Sequence, residues 1–223
     1  TLKTIWTGRV IKVELLPIQK RKNNIKENGH LKGFYDRSKK IISVEDKTFE
    51  ISFEGFHNAS NFMFAYAVAK EFCLDFENFN KFDFKALEGR NRVLKSLKTT
   101  IYDESYNASP ESVKACIENL LAKPRNHFFI FGSMRELGNK AEQYHKEIFD
   151  LINNSDIEKC IFICDKNNEI TYSNYLKKSK KFLLLNDINC VAEKINKFTN
   201  KGDSILIKGS RYWQLEKIIK FID

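Results

Sequence analysis

No apolar run in the 223 residues approaches the length needed to span a bilayer, and no signal peptide is visible. Internal repeats and low-complexity tracts are absent too, which sets aside repeat arrays and compositionally biased linkers. Cysteine is sparse: five residues, at 73, 116, 160, 164 and 190, scattered and odd in number, fit poorly with a disulfide framework. Cys160 and Cys164 fall in Cys-Ile-Phe-Ile-Cys, where strand alternation puts both on one face. No second Cys or His pair completes a metal site, so the cysteines read as buried thiols in a reducing cytoplasm. Two Trp and two Met stand against nineteen Phe, which points to cores filled largely by Phe. The chain also begins without Met, which reads as a fragment.

What is present is ordinary for a soluble globular protein. Hydrophobic residues make up 42% and charged residues 30%, and the length allows one large or two small domains with sizeable cores. A net charge of +9 invites a nucleic-acid reading. The Lys residues, however, are spread over helix faces and loops, with one dense run at Lys20-Arg21-Lys22, and no nucleic-acid motif accompanies them. The balance fits a solvated surface with a basic cleft for an anionic small molecule.

Along the chain, residues 1–53 read as β-rich, with strands at Thr7 to Leu16, Lys40 to Val44 and Thr48 to Phe53. Pro17 to Ser38, which carries the Lys run and Asn28-Gly29, reads as a mobile loop or hairpin excursion. Glu54-Gly55-Phe56 is a turn. Asn58 to Cys73 is then a helix apolar on almost every side, expected to be mostly buried. Phe76 to Phe84 reads as a short helix leading into a linker. A second unit starts near Ala86 with a strand pair, 91–96 and 99–102. Helices at 110–122, 139–152, 172–179 and 188–198 then alternate with strands at 127–131, 159–164, 181–185 and 204–207, before a last helix at 212–221. Buried strand runs alternating with helices predict an α/β fold with a doubly wound, mostly parallel sheet.

The chain is organised around Thr100 to Pro110. A β-branched and aromatic run ends in Asp103 and Glu104, small polar residues follow, and Ser109-Pro110-Glu111-Ser112 opens a helix with an N-cap and a Pro at its first position. In an open α/β sheet, that strand end is where ligands bind. Four other stretches have similar character. Gly55 to Asn61 places Asn58 and Asn61 near a helix start, suited to a purine edge or to a cap. Glu88-Gly89-Arg90 offers an Arg that could reach a phosphate or ribose, or simply face solvent. Gly132 to Gly138 links a strand to a helix, as a structural turn would. Lys208-Gly209-Ser210-Arg211 joins a Gly turn to cations before a helix, a ready site for a carboxylate. His127 and His145 have no visible partners and read as structural or surface residues.

In this order, Gly-x-His-Asn-x-x-Asn, Gly-Arg, Tyr-Asp-Glu-Ser-Tyr-Asn-Ala-Ser-Pro, Gly-Ser-Met-Arg-Glu-Leu-Gly and Lys-Gly-Ser-Arg resemble the Mur ligase family. The likeness runs from about residue 54 to 223. The Ser-Tyr-Asn-Ala core resembles the branch that joins D-alanyl-D-alanine to UDP-N-acetylmuramoyl-tripeptide in peptidoglycan synthesis. Three positions depart from the family wording: Glu104 and Ser133 stand where Asp is usual, and Ser109 where Asn is usual.

The resemblance implies that residues 1–85 are the tail of a central ATP-binding domain, and residues 86–223 a Rossmann-like C-terminal domain. It implies a cytoplasmic, monomeric ligase that uses ATP and magnesium, binds no nucleic acid and inserts in no membrane. His57, Asn58, Asn61, Arg90 and Glu104 would face the nucleotide. Ser105, Tyr106, Asn107, Lys208, Ser210 and Arg211 would face the substrate. The family's phosphate loop, Gly-Thr-x-Gly-Lys-Thr, is nowhere in the sequence; it, the magnesium ligands and a carbamylated Lys would precede residue 1. No catalytic or metal residue is therefore assigned, and the chain alone is expected to fold without catalysing. The alternatives are another Mur-type amino acid ligase and a stand-alone, non-catalytic binding module.

Overall fold

The computed structural model describes residues 10–20, 30–52, 55–74 and 87–223. The chain divides into two compact units, Thr1–Lys85 and Ala86–Asp223, each with its own core.

In unit 1, β1 (Lys12–Pro17), β2 (His30–Asp36), β3 (Ile41–Val44) and β4 (Lys47–Glu50) form a sheet in chain order. β1 and β2 are parallel and the later pairs antiparallel. Leu31, Tyr35, Ile42, Val44 and Phe49 pack under α1 (Phe56–Glu71). Two expectations are corrected here. The segment read as a loop, Pro17 to Ser38, contains β2, whose Leu31, Phe34 and Tyr35 are buried. The helix expected to be mostly buried covers only one side, with Ala59, Phe62, Met63, Tyr66 and Ala67 inward, while Phe64, Val68 and Phe72 are exposed. A single sheet can cover only one stripe of a helix. Residues 7–9, Arg21-Lys22, residues 53–54 and the expected Phe76 to Phe84 helix lie outside the described residues.

Unit 2 begins with the antiparallel pair β5 (Arg92–Lys95) and β6 (Thr100–Glu104). The parallel strands β7 (His127–Gly132), β8 (Ile157–Ile163), β9 (Phe182–Leu185) and β10 (Ser204–Lys208) follow, joined by α2 (Pro110–Leu121), α3 (Ala141–Asn153), α4 (Lys166–Leu176) and α5 (Val191–Phe198). The sheet order is β5-β6-β10-β7-β8-β9, so the doubly wound, mostly parallel sheet is as the sequence predicts. Period-two alternation divides each strand between two cores. Phe129, Phe131, Cys160, Phe162, Cys164 and Leu206 face α2, α3 and α4. Phe128, Ile130, Ile161, Ile163, Ile205 and Ile207 face α5 and the C-terminal segment. Cys160 and Cys164 do share a face, but Cys73 and Cys190 are exposed, against the expectation of buried thiols throughout.

Two helices differ from their predicted form. α4 starts at Lys166, well before residue 172, because its first turns are polar and carry no apolar period. The C-terminal segment is not one α-helix but two 3-10 stretches, Arg211–Trp213 and Leu215–Phe221, broken where Gln214 takes a left-handed φ of 47°. Among the described residues, no helix is long and apolar enough to cross a membrane.

Candidate functional site

In unit 2, β6, β10 and β7 lie side by side, so the loops leaving their carboxyl ends converge: residues 105–109, 209–213 and 133–138. This is the edge at which the strand order reverses, where open α/β sheets form their binding crevices. α2 begins there as predicted. Ser109 caps it by accepting the Ser112 N–H, Ser112 returns a bond to the Ser109 N–H at 2.9 Å, and Pro110 takes the first position.

Lys208 ends β10 in register with Glu104 of β6. It is buried, and its Nζ donates to the Asn107 carbonyl at 3.0 Å, tying the two loops together. Burial raises the Glu104 carboxyl above its ordinary value, and the charges of Lys208 and Arg90 pull it back down. Cys116 of α2 lies on the same spot, with its Sγ within 4.8 Å of a Glu104 carboxylate oxygen. Burial pushes that thiol up to about 12 despite Lys208, so it is an inert neutral group.

The second carboxylate has a different role. Asp103 is fully buried and accepts from the Gly89 N–H at 3.1 Å, the Ser105 N–H at 3.1 Å and the Ser105 hydroxyl at 2.6 Å. Ser105 is thereby sealed inside the loop. Gly89 has φ of 73°, and a Cβ there would stand 2.7 Å from the Tyr106 nitrogen, so only glycine fits this close approach. The turn sets Arg90 with its guanidinium 4.0 Å from the centroid of the Tyr106 ring. Arg211 is 5.8 Å from the same ring and pairs with Glu216 at 2.6 Å. Two exposed arginines and one exposed aromatic ring thus share one edge of the sheet, an arrangement suited to a phosphate or a carboxylate.

Of the residues predicted for the site, Arg90, Glu104, Ser105, Tyr106, Asn107, Lys208, Ser210 and Arg211 come together in unit 2. Ser210 is buried and accepts the Trp213 N–H at 3.0 Å. His57, Asn58 and Asn61 belong to unit 1, where they lie in the first two turns of α1; Gly55, not an Asn, is the cap residue there. Ser133, at the position of the family's Asp, is buried and accepts from Trp213 Nε1 at 3.2 Å.

His145, read from the sequence as a structural or surface residue, is structural, and its partners are what the sequence did not show. It sits on α3 at 0% exposure, among the rings of Phe131, Phe149, Phe162 and Tyr172. Its Nε2 accepts the Met134 N–H at 2.9 Å, so the proton is on Nδ1, which donates to the Ala141 carbonyl at 2.7 Å. The ring therefore holds the 133–138 loop in place as a neutral group, and burial lowers its pKa from the ordinary value. His127 is likewise buried and bonded, through Nε2, to the Lys123 carbonyl.

A pH prediction follows. The unfolded chain protonates this imidazole near its ordinary value of about 6.5, whereas the folded chain resists down to a lower pH. The stability from His145 is therefore complete above about pH 6.5 and is lost as pH falls toward the folded value. Urea midpoints measured from pH 7.5 down to 5 should fall more steeply for the parent than for an H145Q variant. Parallel slopes would remove His145 from this account.

Comparison with known proteins gives the family and the fold. A model of the family described as "Mur ligase, glutamate ligase domain" matches residues 89–211. The UDP-N-acetylmuramoyl-tripeptide--D-alanyl-D-alanine ligase of Bacillus subtilis is 31% identical over 183 residues, covering 78% of this chain and 40% of that protein. The ligase of the same name from Rickettsia prowazekii is 30% identical, covering 62% and 31%. The chain thus spans less than half the length of these relatives. Among solved structures, MurF ligase from Thermotoga maritima in complex with ADP superposes with a TM-score of 0.67 at 23% identity, covering 86% of this chain and 48% of that one. MurF from Acinetobacter baumannii gives 0.68 at 16% identity, covering 93% and 51%. These two likenesses establish the fold, and the family match, which spans β5 to β10 and the loops that follow β6 and β7, establishes the lineage: the chain belongs to the Mur ligase family.

Proposed function

We propose that this chain is the C-terminal part of an ATP-dependent ligase that joins D-alanyl-D-alanine to UDP-N-acetylmuramoyl-tripeptide in the cytoplasm. The observation that carries the reading is the convergence of residues 104–107 with 208–211, fastened by the bond from Lys208 to the Asn107 carbonyl. In this reading residues 1–85 end the central ATP-binding domain and residues 86–223 form the C-terminal domain. The tripeptide carboxylate attacks the γ-phosphate of ATP to give an acyl phosphate. The dipeptide amine then attacks that carbonyl, and phosphate leaves. Both steps depend chiefly on positioning and charge neutralisation.

Arg90 and Arg211 supply exposed cations for a phosphate or a carboxylate, and Glu104 a carboxylate for the ribose. Tyr106 and Asn107 are the exposed part of the acceptor face. His57, Asn58 and Asn61 would meet the adenine. By the family resemblance, magnesium would be held by ligands outside the residues assigned here.

Calorimetric titration of the chain with D-alanyl-D-alanine and with L-alanyl-L-alanine tests the reading. The D,D-dipeptide should bind and the L,L-dipeptide should not. An R211A variant should bind about tenfold more weakly, as expected for one lost charge-assisted bond. If neither the chain nor the longer protein with ATP and magnesium distinguishes the two dipeptides, the reading fails.

A further inference from the structure

The amino edge of the unit 2 sheet, opposite the candidate site, is built from five loops: residues 96–99, 199–203, 122–126, 154–156 and 177–181. Strand order fixes their sequence along the edge, from the β5–β6 hairpin through the loops entering β10, β7, β8 and β9. At the usual strand spacing, this row is roughly 20 Å long. Its exposed cations are Lys98, Lys201, Arg125, Lys177, Lys178 and Lys180. Acidic residues hardly offset them. Asp203 is buried and occupied by Asn126 and by the Asn200 N–H. Asp156 is exposed. Asp223 pairs with Lys98 at 3.2 Å.

Two features decide which polyanion this row fits. None of the five loops contains an aromatic residue, so there is no platform on which bases could stack. At the hairpin tip, Leu97 is 89% exposed beside Lys98, an apolar side chain held out among cations. Positive charge with a projecting aliphatic group is the combination that binds an anionic bilayer surface. We propose that this edge docks on membranes rich in anionic phospholipids. Docked so, the opposite edge, with Arg90, Tyr106 and Arg211, faces away from the lipid and stays open to soluble substrates.

The test is co-sedimentation of the chain with phosphatidylcholine vesicles containing increasing phosphatidylglycerol, at about 0.1 M salt. Binding should be absent on neutral vesicles and rise steeply with anionic lipid. A K177E/K178E/K180E variant should partition at least about tenfold less. A K146E/K166E/K220E variant, with the same change of charge on exposed lysines elsewhere, should stay within about threefold of the parent. Equal loss in the two variants would mean that net charge alone is responsible and would overturn the proposal. So would undiminished binding by an L97S variant, or a chain that binds RNA or duplex DNA at this salt but not anionic vesicles.

Discussion

Replacing Asp103 with alanine should destabilise unit 2 by about 3 kcal/mol, because three donors lose their acceptor in a site without water access. The Gly89 N–H, the Ser105 N–H and the Ser105 hydroxyl all point at this one carboxylate, which has no exposed surface. Buried donors left unmatched cost far more than an exposed contact returns. For a unit of this size, the loss corresponds to a melting temperature lower by roughly 10 °C. An asparagine at this position keeps only one acceptor oxygen and turns an amide toward a donor, so it should recover less than half of the loss. The consequence for the site is specific. The turn at Gly89 is held by Asp103 and by the bond from the Tyr106 N–H to the Gly89 carbonyl, and it sets Arg90 over Tyr106. Hydrogen exchange should therefore quicken first at Gly89 and Ser105. A D103A variant within 1 kcal/mol of the parent in urea unfolding would contradict this account.

That carboxylate also marks where sequence reading stops. Asp103 and Glu104 look alike as a pair at a strand end. Alternation places one inward and the other toward the loops, but only the fold supplies the Gly89 and Ser105 donors that give Asp103 a structural role. The parallel sheet was legible because its buried strands are continuous apolar runs separated by helices. The N-cap at Ser109 was legible because capping is local. β2 was hidden because Lys, Asn and Gly residues before it favour a loop, and its pairing with β1 is set across a long connection. His145 was opaque for a related reason: its acceptor role depends on a backbone N–H, that of Met134, on a different element. The face of α1 that carries Phe64 and Val68 was misjudged since apolar composition says nothing of how many neighbours will cover it.

Replacing Gly209 with alanine should cost about 2–3 kcal/mol and disturb the candidate site more than G132A does, although the two glycines face each other. A Cβ at Gly209 would stand 2.9 Å from the Gly132 Cα and 3.1 Å from its nitrogen, as well as 2.8 Å from Leu215 Cδ1. Leucine can change rotamer, but the end of β7 cannot withdraw without breaking its ladder to β10 and β8. A Cβ at Gly132 instead meets the ring edge of Trp213, at 2.7 Å, with the Gly209 Cα farther off at 3.3 Å. That ring can tilt at the cost of its Nε1 bonds to Ser133, at 3.1 and 3.2 Å. The two variants should therefore separate by readout. G132A should shift the fluorescence of Trp213 with a modest loss of stability. G209A should lower stability further and weaken binding of an anionic ligand, because Lys208 and Arg211 flank the displaced residue. If G132A proved the more damaging of the two, the contact between strand ends would not be what holds these loops together.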